Sequence, residues 1–268
     1  MALTRPLRLK SEVAKLRPET SSSSLPIARV WVDSGVFHLD QSYDYLIPDN
    51  LTSAVRTGIR IQVPFHGREV EALVLSRIAI SDSPVLKSIS KVISHQSVAT
   101  SESLELIEAV ATRWAAHPFD ILRSAIPPRV ASIDKQSFPK LQVRPSTNKA
   151  RRSYIQIPPV VNRFDFIAST ISNSPSRGST LIVLPDSNSA HRLQKMIEGS
   201  ILLDSTLERS ERYSNFLRIR NGENLVVIGT RSAIFAPLAG LSAIYIVDEG
   251  SENHYEVRTP GWNVRDVA

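Results

Sequence analysis

The sequence predicts a mixed α/β chain, α+β overall: a small β-rich unit, then a helical segment, then a parallel α/β lobe. Three observations predict it. Four short runs rich in Val, Ile and Tyr crowd together before residue 80. Unbroken apolar runs alternate with helical patterns after residue 153. Between the two lies a polar, basic stretch without period at 131–152, which reads as a linker.

The elements follow in order. Residues 1–25 contain the run Ser21–Ser24 and show no apolar period, so they read as a disordered basic tail. The four β-like runs are Ile27–Asp33, Tyr43–Ile47, Ile59–Phe65 and Val70–Ile78. Turn residues separate them: Pro48–Asp49–Asn50, Thr57–Gly58 and His66–Gly67. Strands so closely spaced suggest a small antiparallel barrel or sheet, assigned to residues 26–100. Leu104, Ile107, Val110 and Trp114 recur at helical spacing and predict an amphipathic helix over Ser103–Ala116. Ser101 and Glu102 suit its cap and dipole, and Pro118 ends it or opens the next turn. The helical segment is assigned to 101–130.

In residues 153–268 the apolar runs Thr180–Leu184, Leu225–Ile228 and Ala243–Val247 suit strands buried on both faces of a parallel sheet. Helical patterns at Phe164–Ser172, Ser189–Ile197 and Glu208–Ile219 lie between them, and Tyr154–Ile157 reads as a first strand. There is no internal repeat.

Composition sets outer limits. At 268 residues, 42% apolar and 22% charged, the chain can bury a sizeable core in one or two domains. The absence of cysteine excludes disulfides, Cys-ligated zinc, iron–sulfur ligation and a Cys nucleophile. No window approaches the ~20 apolar residues of a membrane span, and no apolar segment follows the first basic residues. The expected location is therefore the cytoplasm, beside the nucleoid, with no membrane partner.

The net charge of +6 is unevenly placed. Residues 1–24 carry +3 and residues 131–155 carry +5, whereas 25–130 and 156–268 carry −1 each. A basic tail and connector suit a polyanion, because neutralising phosphates releases counterions. The same charge also serves solubility.

The chemistry is sparse. Ile246-Val247-Asp248-Glu249 places two carboxylates at the end of an apolar strand, where a Walker B pair of a P-loop fold would hold Mg²⁺ and position water. Its complement, a Gly-rich loop with Gly-Lys, is missing: the chain has no Gly-Lys dipeptide. The loop in the corresponding place reads Pro158-Pro159-Val160-Val161-Asn162-Arg163. Two prolines remove two N–H donors, and no glycine or lysine is present to cradle a triphosphate. Asp248 and Glu249 are therefore expected to be vestigial. The six histidines show no metal-ligand spacing and no Gly-x-Ser-x-Gly elbow occurs, so no catalytic residue, metal or cofactor is expected.

Tyr43-Asp44-Tyr45 is the other constellation. Strand alternation sends the tyrosines to one face and Asp44 to the other. Aromatics in strands are commonly core residues. Alternatively, an aromatic stacks on a terminal base while the carboxylate accepts from a sugar hydroxyl and repels phosphate, which suits a free 3′ end.

These residues, with their order and spacing, resemble the PriA family of replication-restart helicases. The likeness runs through Ala28-Arg29-Val30, Ser42–Pro48, Gly58–Phe65, Leu86–Ile89, Trp114–Pro118 and Ile126-Pro127. It resumes at Val227–Pro237, Val247-Asp248-Glu249, Tyr255 and Gly261–Asp266, with a divergent stretch at 131–224. The resemblance implies a 3′-end DNA-binding domain, a winged-helix-like segment and part of a P-loop-type helicase lobe. It implies a 3′-end pocket of Tyr43, Asp44 and Tyr45, with Gly67 after the Pro64-Phe65 turn and Lys87 as a phosphate contact. The departures matter as much. The Walker A loop is absent, Gly250 and Ser251 follow the Asp-Glu pair where the family has an acidic residue and a histidine, and the likeness runs out inside the first helicase lobe. The chain thus resembles helicase-deficient family members. The expected function is recognition of a 3′ end at stalled forks or D-loops and recruitment of primosome proteins and single-stranded DNA-binding protein, without unwinding. A residual ATPase and a scaffold that binds no DNA are the two rival readings.

Overall fold

The computed structural model describes residues 24–35, 41–138, 151–173, 178–222 and 226–268. The tail assigned to 1–25 lies outside them except for its last two residues, as does 139–150 of the linker.

The first half is a curled six-stranded sheet. Its strands are β1 (Ile27–Val32), β2 (Ser42–Leu46), β3 (Arg60–Phe65), β4 (Arg68–Ile78), β5 (Lys87–Ser88) and β6 (Lys91–Val92). Their spatial order is β5-β2-β1-β4-β3-β6. The β1–β2, β1–β4 and β3–β4 pairs are antiparallel, and β5 runs parallel to β2. The last strands curl the sheet towards closure. β5 pairs with β2, β6 pairs with β3, and between them Ser90 N donates to the Gln62 carbonyl at 2.9 Å. Alternation fills the interior with Ala28, Val30, Val32, Tyr45, Ile61, Val63, Phe65, Ala72, Val74 and Ile89.

Two helices follow, α1 (Ser101–Arg113) and α2 (Pro118–Ala125). Thr100 caps α1, one residue ahead of the expected position, its side chain accepting from Ser103 N at 3.2 Å. Pro118 opens α2 rather than closing α1, and His117 caps it by accepting from Phe119 N. Residues 101–138 contain helices and no strand, so the segment expected to resemble a winged helix shows no wing. Where the linker was expected to start, α3 (Ala131–Asp134) forms instead.

The second half has a parallel four-stranded sheet. Its elements are α4 (Arg163–Ser172), β7 (Ser179–Val183), α5 (Ser187–Met196), β8 (Ile201–Leu203), α6 (Arg209–Arg220), β9 (Val226–Gly229), β10 (Leu241–Ile246) and α7 (Val264–Val267). The strand order is β10-β7-β9-β8. α4 and α5 bury one face of this sheet through Phe164, Ile167, Ala190 and Leu193. α6 and Trp262 pack on the other face. One expectation is corrected, and one strand is added. Tyr154–Ile157 is no strand: residues 151–158 have no regular structure and Tyr154 is exposed. β8 escaped notice because three apolar residues make too short a run.

The two halves share one core. Trp31 and Leu73, on the outer face of the curled sheet, pack in a single cluster with α1, α2, Tyr213, Phe216 and Trp262. Asp134, fully buried, ties them further. Its carboxylate accepts from Tyr213 Oη at 3.0 Å, Arg129 Nε at 2.8 Å and His95 N at 2.9 Å. No described helix is long and apolar enough to cross a membrane.

Candidate nucleic-acid interface

β2 carries Tyr43-Asp44-Tyr45, and its alternation sorts them as the pleat requires. Tyr45 points into the curled sheet at 4% exposure and donates to the Pro64 carbonyl at 3.3 Å. Burial pushes its phenol up to about 12. Its ring is a core element, covered on both sides, and offers no face to a base. Tyr43 is half-buried and meets Phe65 edge-to-face at 5.0 Å between centroids. Phe65 in turn meets His66 at 4.6 Å.

His66 and Gly67 form the two-residue hairpin loop between β3 and β4, with φ of 45° and 78°. Two left-handed residues in succession give the turn that matches strand twist. Gly67 supplies one without cost, and the space beside its Cα is open. Lys87 is exposed on β5, in register with Tyr45. Tyr43 and the His66–Gly67 turn therefore meet at one end of the curled sheet, with Lys87 two strands from Arg29 across β2.

Asp44 faces the other way. On β1, Arg29 is its register partner. The guanidinium forks the carboxylate, Nε to Oδ1 at 2.9 Å and Nη2 to Oδ2 at 3.1 Å. Ser81 Oγ donates to Oδ2 at 2.6 Å. The Arg29 hydrogen bonds hold the Asp44 carboxyl below the usual range; burial opposes this and Ser81 adds to it. The sequence does not mark Arg29 or Ser81 as partners of Asp44, because neither strand register nor the path of residues 79–83 is legible there. The signal that existed was opposite charge on two β-like runs.

In the second half, Asp248 and Glu249 follow β10, and Asp248 sits in the left-handed region at φ 52°. Each is engaged by an arginine of this chain. Arg163, the first residue of α4, pairs with Asp248, and Arg265 pairs with Glu249 at 3.0 Å. Asn162 caps α4 by accepting from Phe164 N at 3.0 Å. The helix end that would bind phosphate thus carries its own cap, and the carboxylate that would hold a divalent cation is paired with a guanidinium. With the Pro158-Pro159 loop, these residues do not fit a magnesium nucleotide. Among the described residues no group of three or more His, Asp or Glu could hold a metal ion.

The carboxyl ends of β7, β8 and β9 are tied together by Asp204, which is fully buried. It accepts from Ser187 Oγ at 3.1 Å, Thr206 N at 2.9 Å, Thr206 Oγ1 at 2.5 Å and Thr230 Oγ1 at 2.8 Å. These bonds outweigh the burial that would raise it, and its carboxyl lies below the usual range. Next in sequence, Arg231 donates to the carbonyls of Asn253 and Tyr255 and to Glu256, fastening the segment after the Asp-Glu pair.

Residues 29–127 match the family described as the PriA 3′ DNA-binding domain. Over 261 residues the chain is 30% identical to the probable replication restart protein PriA of Mycobacterium tuberculosis, covering 86% of this chain and 40% of that protein. The corresponding protein of Mycobacterium leprae is 28% identical over 265 residues, covering 86% and 41%. The replication restart protein PriA of Rickettsia felis is 23% identical over 247 residues, covering 84% and 38%. The chain spans about two fifths of the length of these relatives.

Proposed function

We propose that the chain is a PriA-type protein that binds DNA at a free 3′ end in replication restart, and that it does so without hydrolysing ATP. The observation that carries the DNA-binding part is the family match over 29–127, which contains Tyr43, Asp44, Gly67 and Lys87. The carboxylate of Asp44 has about four lone-pair sites, of which Arg29 and Ser81 take three. The remaining one, on Oδ1, accepts the terminal hydroxyl. On the opposite face of β2, Tyr43 and the His66–Gly67 turn offer an aromatic edge to a last base that reaches round the strand, and Lys87 offers a point charge to the backbone. Tyr45 supports Tyr43 from within the core. Stalled forks and D-loops are the DNA structures that present such an end, and primosome proteins and single-stranded DNA-binding protein are the partners this role requires.

The absence of hydrolysis is supported by the Arg163–Asp248 and Arg265–Glu249 pairs and by the Pro158-Pro159 loop. Magnesium ATP is expected to leave the melting temperature unchanged. A nucleotide-dependent rise would restore the ATPase reading.

The 3′-end role is tested by fluorescence anisotropy at fixed salt on two forks differing only in a 3′-hydroxyl or 3′-phosphate at the leading-strand end. Preference for the hydroxyl, lost in Asp44→Ala, is the expected result. Equal affinity for both ends would reduce the role to electrostatic attraction by the basic segments.

A further inference from the structure

Asp44 is not a bare carboxylate, and that changes what β2 shows to a ligand. Its side chain is only 10% exposed, while that of Arg29 is 40% exposed. The group facing solvent is the guanidinium. Of its five N–H bonds the fork uses two, and among the described residues Arg29 makes no other side-chain hydrogen bond. Three donors on a fixed plane therefore point away from Asp44. The β1–β4 register shifts between Arg29 and Val30, a bulge of the kind that re-aims a side chain. Arg29 and Lys87 lie on the two strands flanking β2, opposite Asp44 and Tyr45 respectively. At about 4.8 Å per strand, their backbones are on the order of 10 Å apart, but Lys87 shares the face of Tyr45 and Arg29 that of Asp44, so of the two only Arg29 stands on the Asp44 face.

We propose that Arg29 binds the phosphodiester adjoining the 3′-terminal nucleotide through its free guanidinium edge, with Asp44 as the residue that positions it. This rests on the 3′-end reading above. Each half of the pair then has a task. Oδ1 of Asp44 accepts the terminal hydroxyl while Arg29 holds the phosphodiester next to it. A planar fork suits this better than an ammonium, because one edge stays locked on Asp44 as the other meets phosphate. A lone Asp44 would repel every nearby phosphate. Paired with Arg29, it repels only one placed on the hydroxyl position.

The test is the salt dependence of binding to the 3′-hydroxyl fork, in the whole chain, for Arg29→Gln and for the double variant Arg29→Gln/Asp44→Asn. The double variant leaves net charge unchanged, so its long-range attraction is that of the wild type. One lost phosphate contact lowers the slope of log affinity against log salt by about 0.7–0.9. Across a fourfold change in salt that is about a threefold difference in affinity. Both variants are expected to show this drop. An unchanged slope in the folded double variant would assign Arg29 to structure alone and overturn the inference while leaving the 3′-end reading standing. Absence of wild-type binding would overturn both. Should either variant fail to fold, Arg29→Lys decides. It keeps the charge and loses the fork, so a several-fold loss of affinity at unchanged slope supports the proposal, and wild-type affinity overturns it.

Discussion

Carboxylates of similar formal charge do different work here, and partners decide which. Asp204 is fully buried and satisfied by three hydroxyls and one backbone N–H. Asp204→Ala strands those donors beside the partly buried Arg212, and is expected to cost about 3 kcal/mol by urea unfolding. Asp44, Asp186 and Asp204 all titrate below the usual carboxylate range in the folded chain. Stabilisation from a depressed carboxylate is complete above its unfolded pKa, about 3.9 for Asp, and is lost as pH falls through the lower folded value. Circular dichroism should therefore show the chain holding at pH 5 and weakening below about pH 4, with a smaller acid loss in Asp204→Ala. Tyr45 gives the opposite limit. Its phenol, raised to about 12, favours the folded state below the unfolded value near 10, and that support disappears as pH rises through about 12.

At the scale of elements, backbone conformation is tightly constrained in the curled sheet. Gly67 and Gly58 both have positive φ, yet their surroundings differ. A Cβ at Gly67 would meet nothing within 4 Å, whereas one at Gly58 would lie 2.1 Å from the Ala99 carbonyl oxygen. Gly67→Ala is expected to cost about 1 kcal/mol from the left-handed conformation alone. Gly58→Ala adds a backbone clash that no rotamer relieves, since Val98 N donates to the Gly58 carbonyl at this seam. Its expected cost is several-fold larger, and comparing the two unfolding midpoints checks this. Strand positions were legible at this scale because β-branched and aromatic residues alternate over 27–78. β8 and α3 were not, because three or four residues are too few to show a period.

For the whole molecule, the relevant fact is that the core crosses between the halves. Trp31 and Leu73 pack in the same cluster as Phe216 and Trp262, and Asp134 bonds to Tyr213, whose phenol burial and this carboxylate push up. Calorimetry is expected to show one cooperative transition instead of one per half. Tyr213→Phe removes a hydrogen bond to a buried carboxylate, and is expected to lower stability by about 2 kcal/mol across that single transition. Two separate transitions, only one of them shifted, would mean the halves unfold independently.

The sequence by itself determined the strand-rich first half, the parallel second half and the lack of a phosphate-binding loop, because composition and period act locally. It also set Tyr43 and Tyr45 on one face and Asp44 on the other, since the pleat leaves no alternative. Only the tertiary structure decided what Asp44 does. Its partner lies 15 residues away on β1, brought opposite by a strand register that depends on the whole curled sheet. The same holds for Arg163 and Asp248, 85 residues apart, and for Asp134 and Tyr213, 79 apart. Ion pairs and buried hydrogen bonds require proximity in space, and proximity across such separations is a property of the packed chain.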